Sequence, residues 1–198
     1  MLSAAESQLP EGVRALIFDC DGTLVDTMPV YKAVWTELFA EHGFVLTDQW
    51  WVQTGNVALE PFVRAAIPSA SDGLIDELRQ RSMALFAQRM HLVEPMHHVI
   101  DVARRHHGTL PMAVCSGGFR ASVISSLDAA GVTDLFDPIV CAEDVVNSKP
   151  APDLYLLAME KLGAGVDDVV VYEDSEVGFA SARAAGIVRI VDVRDLPS

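Results

Sequence analysis

From residue 112 onward the chain alternates between short apolar runs and segments of helical length, and no other feature restricts its possible folds as much. The strand-like runs are "MAVCS" (112–116), "PIVC" (138–141), "VVVY" (169–172) and "VRIVDV" (188–193), and "ALIF" (15–18) is an earlier member of the set. Between the later runs lie helix-like segments at 119–130, 153–162 and 177–185, the last followed by the stop signal Gly186. Buried strands separated by helices build parallel βαβ units, so the pattern predicts an open α/β parallel sheet covered on both faces. Ligands of such sheets bind beyond the carboxyl ends of the strands.

Residues 27–92 interrupt the alternation. Val30, Tyr31, Val34, Trp35, Leu38 and Phe39 recur in pairs every four residues, which gives one broad apolar helical face ending at Gly43. Helical runs follow at 48–56, 59–67 and 73–90, with no convincing strand among them. The pattern predicts an inserted all-helical domain at 27–92, and a sheet domain made of residues 1–26 and 93–198. Trp50 and Trp51 are expected to pack in the helical core.

The first strand runs straight into "DCDGT", which places Asp19 and Asp21 on either side of Cys20 and turns at once on Gly22. An acidic turn after a strand needs no function by itself. A calcium loop would need a bidentate Glu at its twelfth position, where this chain has Val30. Two carboxylates two residues apart on extended backbone share one site, and their repulsion calls for a compensating cation or a shared proton. Other strand ends bring further groups: Ser116 with Gly117 and Gly118, Glu173 with Asp174, and Lys149 ahead of the helix at 153–162. Taken singly these read as a turn, a helix cap and a solvated loop lysine. Together they form an acidic set with one ammonium and one hydroxyl. Such a set suits Mg²⁺, with Lys149, Ser116 and the backbone N–H groups near Gly117 holding the oxygens of a phosphoryl group.

Composition narrows the function classes. A formal net charge of −14 and only three lysines, Lys32, Lys149 and Lys161, argue against a nucleic-acid partner. No apolar run approaches the roughly 20 residues that cross a bilayer, so no membrane partner is expected. The opening "MLSAAESQLPEG" has no basic residue ahead of Arg14, unlike a secretory signal. Cys20, Cys115 and Cys141 are odd in number and sit in strand-like surroundings, which predicts reduced, space-filling thiols and a cytoplasmic protein. Adjacent histidines, His97-His98 and His106-His107, point to different faces of a helix, so neither pair forms a metal site alone.

"DCDGT", Ser116, "KPAPD" from Lys149, and "EDSEVG" from Glu173 resemble, in this order and spacing, the four motifs of the haloacid dehalogenase superfamily. "EDSxxG", "KPxPD" and the helical insert after the first motif are most similar to the β-phosphoglucomutase-like group, which includes sugar-phosphate phosphatases of the fructose-1-phosphatase kind. The resemblance implies a Rossmann-like core with a helical cap, and a Mg²⁺-dependent phosphatase acting on a small phosphorylated metabolite. A monomer or weak homo-oligomer is expected. Asp19 then corresponds to the nucleophile and Asp21 to the general acid and base. Ser116, Gly117 and Lys149 correspond to the phosphate-binding positions. Asp174 matches a metal ligand, with Glu173 beside it, Asp19 through its side chain and Asp21 through its carbonyl. Thr23 is expected to cap the turn after the acids, and Gly22 to let the chain approach the site closely.

Two alternatives follow from the same resemblance. A phosphoglucomutase-type enzyme needs a cap arginine three residues after a glycine; after Gly55 this chain has Ala58, and Arg64 or Arg120 would have to substitute. A catalytically silent binding protein of the same fold is the alternative from another class. The second acid, Asp21, argues against a haloacid substrate, and a phosphonatase would need its lysine from the insert, where Lys32 stands early in the first helix.

Overall fold

The computed structural model describes residues 9–54 and 59–197. In chain order the elements are β1 (Ala15–Phe18), β2 (Val25–Asp26), α1 (Met28–Ala40), α2 (Asp48–Thr54), α3 (Leu59–Ala66), α4 (Asp72–Gln88), β3 (Glu94–Pro95), α5 (His97–His106), β4 (Met112–Cys115), α6 (Arg120–Ala129), β5 (Ile139–Val140), α7 (Asp153–Leu162), β6 (Val169–Glu173), α8 (Glu176–Ala184) and β7 (Ile190–Asp192). The chain divides into two compact units, one made of the residues up to Asp26 and from Glu94 onward, the other spanning Thr27–Val93.

The first unit is an α/β fold around a five-stranded sheet of order β5-β4-β1-β6-β7. Every pairing in this sheet is parallel. β1 lies between β4 and β6, and Phe18 is level with Val114 on one side and Tyr172 on the other. The chain fills the β4 side first and then crosses to β6, so β1 ends at the point where the strand order reverses, where open sheets hold ligands. Because strand side chains alternate between faces, Ala15, Ile17, Val169 and Val171 join Leu154, Tyr155, Ala158 and Ala182 of α7 and α8 in one core. Phe18 and Tyr172 alternate to the other face, where their rings stack at 4.7 Å.

Three elements of this unit escape the sequence pattern. β2 and β3 pair antiparallel, Val25 with Pro95 and Asp26 with Glu94, and runs of two residues are too short to show a period. α5 buries Val99, Ile100, Val102 and Ala103, but its histidines and arginines mask the apolar stripe. The three cysteines are free and buried, and the Cys115 thiol donates to the Leu154 carbonyl.

Among the described residues, every regular element of the second unit is helical. Val34, Trp35, Leu38 and Phe39 of α1 pack with Phe62, Val63 and Ala66 of α3 and Ile75 and Leu78 of α4. Trp50 sits edge-on to Phe39 and Phe44 and tilted against Phe62, with Trp51 also against Phe62, so both serve packing. Ser71 caps α4 by accepting from the Leu74 N–H. Gly55 and Ala58 lie outside the described residues. Among the described residues, no helix is long and apolar enough to cross a membrane.

Candidate active site

The register of the sheet brings three of the four sequence-selected acids together. Asp19 follows β1 directly, and its N–H donates to the Tyr172 carbonyl, which keeps it beside the end of β6. Glu173 is the last residue of β6, and Asp174 is the next. Asp19, Glu173 and Asp174 each offer a carboxylate oxygen, and these oxygens lie within 4.8 Å of one another. Asp19 and Glu173 are buried.

Lys149 closes the group. Its Nζ donates to Asp19 Oδ1 at 2.6 Å and to Glu173 Oε2 at 2.6 Å, and its side chain is only 8% exposed. The Tyr155 hydroxyl donates to the same Glu173 Oε2 at 2.8 Å. Glu173 Oε1 accepts from the Ser175 hydroxyl and from the N–H groups of Asp174 and Ser175. Glu173 therefore has more donors than free lone pairs, which suits a group that fixes Lys149 better than a direct metal ligand. Asp19 and Asp174 are the less encumbered oxygens.

Electrostatics follows from this inventory. Burial, then the charges of Glu173 and Asp174, hold Asp19 well above the usual carboxylate range despite Lys149. Burial also opposes ionisation of Glu173, but the Lys149 charge and the donated hydrogen bonds outweigh it and leave Glu173 low. Asp174 is pushed up to about 6 by burial and by the neighbouring Glu173 charge. Burial works against the Lys149 ammonium too, yet the Asp19 and Glu173 charges hold it well above its ordinary value. One ammonium cannot balance three clustered carboxylates, two of them buried and the third half-buried. The donor set, all hard oxygens with negative charge in excess, fits a divalent cation such as Mg²⁺.

The remaining sequence-selected residues sit around this group. Ser116 is fully buried after β4; its Oγ accepts from the Gly118 N–H at 3.0 Å and donates to Asp21 Oδ2 at 3.3 Å. Asp21 is thus tied to Ser116 and is not a member of the three-carboxylate group. Thr23 does not cap its turn: its buried hydroxyl donates to Asp174 Oδ1 at 3.3 Å, because the turn at Gly22 folds residue 23 back toward the end of β6. Gly117 follows Ser116, where a Cβ would lie 3.3 Å from the Ser148 hydroxyl.

Three contributors received no role in the sequence reading, although two of them, Ser175 and Gly178, stand in "EDSEVG". Tyr155 reads as one more apolar position of α7. Ser175 bonds Glu173 and also caps α8 by accepting from the Gly178 N–H. Gly178 has no side chain because the Glu173 carboxyl fills that space: an added Cβ would fall 1.9 Å from it. The glycine in "EDSEVG" is the one signal that points to this contact.

The arginines considered as a second phosphate clamp are committed elsewhere. Arg64 is held by Glu60, Asp72 and the Ala70 carbonyl. Arg120 is held by Asp144 and the Ile139 carbonyl.

Residues 16–191 match the family model described as haloacid dehalogenase-like hydrolase. The chain belongs to that family. It is 33% identical over 186 residues to the fructose-1-phosphate phosphatase YqaB of Escherichia coli K12, a match that covers 93% of this chain and 98% of YqaB. It is 28% identical over 192 residues to a phosphorylated carbohydrates phosphatase of Thermotoga maritima, covering 91% of this chain and 85% of the relative. The fold is shared with the crystal structure of CbbY from Rhodobacter sphaeroides in complex with phosphate, with a TM-score of 0.77, 22% identity, and coverage of 88% of this chain and 84% of CbbY.

Proposed function

We propose that this haloacid dehalogenase-like hydrolase is a Mg²⁺-dependent phosphatase that hydrolyses a small sugar phosphate through an aspartyl-phosphate on Asp19. The observation that carries the reading is the Lys149 ammonium bridging Asp19 and Glu173 beside Asp174 at the carboxyl edge of the sheet. Kinship with a fructose-1-phosphate phosphatase over nearly the whole chain supports the substrate class.

Asp19 attacks phosphorus, and the bond to the leaving oxygen breaks. Asp21 donates a proton to that oxygen, then takes one from the water that attacks the aspartyl-phosphate, releasing inorganic phosphate and restoring both acids. Lys149, Ser116 and the backbone around Gly117 hold the phosphoryl oxygens. Asp19 and Asp174 would hold the metal with the Asp21 carbonyl, and Mg²⁺ would supply the positive charge that keeps Asp19 ionised beside a phosphate dianion. The helical unit acts as the cap that excludes water during transfer and selects the sugar. The buried, unpaired thiols suit a cytoplasmic enzyme.

The test is release of p-nitrophenol from p-nitrophenyl phosphate with and without EDTA, followed by phosphate release from fructose 1-phosphate, β-glucose 1-phosphate, phosphoglycolate and 2-deoxyglucose 6-phosphate. Metal-dependent turnover with a sugar phosphate as the best substrate is expected. No metal-dependent release from any of them would leave a silent binding protein as the reading. Interconversion of glucose phosphates without net phosphate release would mark a mutase.

A further inference from the structure

We propose that Tyr155 is a positioning residue for the phosphatase reaction: its hydroxyl and ring hold Glu173 and Lys149 so that the Lys149 ammonium is aimed at Asp19. The inference rests on the phosphatase reading above and concerns a residue that no motif selects.

Tyr155 is fully buried in α7, among Leu154, Ala158 and Met159. Packing alone does not call for a hydroxyl there. A phenylalanine would fill the same space and leave no polar atom to satisfy. The hydroxyl is spent on Glu173 Oε2, the oxygen that also accepts from Lys149. The ring lies under the ammonium, with Nζ 5.2 Å from its centroid. One side chain thus touches both members of the buried pair, from an element that supplies no other group to the site.

The consequence concerns how Lys149 divides its charge. Glu173 and Asp19 compete for the same ammonium at equal distance. A hydroxyl on Oε2 withdraws negative charge from that oxygen and blocks one approach to it, so Nζ stays shared with Asp19. Without the hydroxyl, Glu173 Oε2 has Lys149 as its sole remaining donor and draws the ammonium away from the attacking carboxylate. Tyr155 acts through these two neighbours.

The test compares Tyr155→Phe with the wild type and with Met159→Ala, a cavity variant on the same helix that weakens packing without touching the pair. For Tyr155→Phe we expect kcat to fall about 10- to 100-fold, as when a group supporting a ligand is removed, with KM within about threefold. Met159→Ala is expected to lower the melting temperature and leave kcat at 25 °C within about twofold. A crystal structure of Tyr155→Phe is expected to show Nζ displaced from Asp19 Oδ1 toward Glu173. An unchanged kcat overturns the proposal, and so does a loss of kcat with Nζ still bridging both carboxylates. If the wild-type protein turns over no phosphate ester, the phosphatase reading fails instead, and the position of Nζ in the variant crystal alone decides for or against the aiming role.

Discussion

Gly22 and Asp174 occupy adjoining space at the end of the sheet: a Cβ on Gly22 would lie 2.4 Å from Asp174 Oδ2, and Gly22 holds a φ of +87° that side chains disfavour. Sequence proximity cannot produce this contact, since the residues sit at opposite ends of the catalytic unit. It arises because β1 and β6 are neighbours, so the turn after one strand lies against the acid after the other.

Gly22→Ala should therefore do two kinds of damage. The backbone conformation costs about 1–2 kcal/mol for a residue with a Cβ, and the displaced Asp174 costs metal binding and turnover. Gly108→Ala is the control, because Gly108 has a φ of +77° with nothing within 4 Å of the added carbon. Denaturant titrations should show loss of stability in both variants, while phosphatase assays show loss of activity only in Gly22→Ala. Equal activities would mean that the Asp174 contact is irrelevant to function.

Lys149→Ala should destabilise the protein as well as inactivate it. Removing one partner of a buried ion pair leaves the others uncompensated, at a cost of about 3–5 kcal/mol. Glu173 then loses the charge that keeps it low, so its folded pKa rises above its unfolded value. Protonation favours the folded state of such a group, and its stabilisation is present at low pH and lost as pH rises through the folded pKa. The stability deficit of Lys149→Ala relative to wild type should accordingly shrink between pH 7 and pH 5. Urea melts at both values check this, and a deficit independent of pH would refute it.

Magnesium should stabilise the protein more at pH 7 than at pH 5. Asp174 is raised to about 6, so in the metal-free protein its proton contributes stability below the ordinary carboxylate pKa, and that contribution is lost as pH rises through about 6. At pH 7 the carboxylate is ionised and ready to bind, whereas at pH 5 a proton competes. With Mg²⁺ at about 100 times its Kd the gain is about 2.7 kcal/mol, roughly 5–10 °C for a chain of this size. Thermal melts with Mg²⁺ and with EDTA measure it, and equal shifts at the two pH values would contradict the assignment of Asp174.

Asp21→Asn should separate proton transfer from metal binding. Asp21 lies outside the three-carboxylate group and bonds Ser116, so the variant should keep its fold and its stabilisation by Mg²⁺. Loss of a general acid costs about 10²–10⁴ in rate, and the cost should be greater for a sugar phosphate than for p-nitrophenyl phosphate, whose leaving group needs little protonation. Parallel kcat/KM values for the two substrates reveal the difference. A uniform loss on both would remove Asp21 from the acid role.

The sheet strands and the longer helices are legible in the sequence because burial on one face or two imposes a period, and the site acids are legible because they stand at the ends of those periodic runs. β2 and β3 are not, since two residues have no period and their pairing is set by a partner about 70 residues away. Tyr155 looks like any apolar residue of α7 until Glu173 is placed opposite its hydroxyl. Thr23 reads as a cap for its own turn, yet it bonds Asp174, because long-range strand order overrides the local preference. Arg64 and Arg120 look available in the sequence and are each held by several acceptors in the fold. The sequence by itself determined the periodic strands and helices and which chemical groups stand at their ends, since both depend on local periodicity and residue type. Only the tertiary structure decided which groups meet, because β1 acquires its neighbours β4 and β6 through pairings between distant parts of the chain, and a hydrogen bond or a filled cavity exists only once both partners are in place.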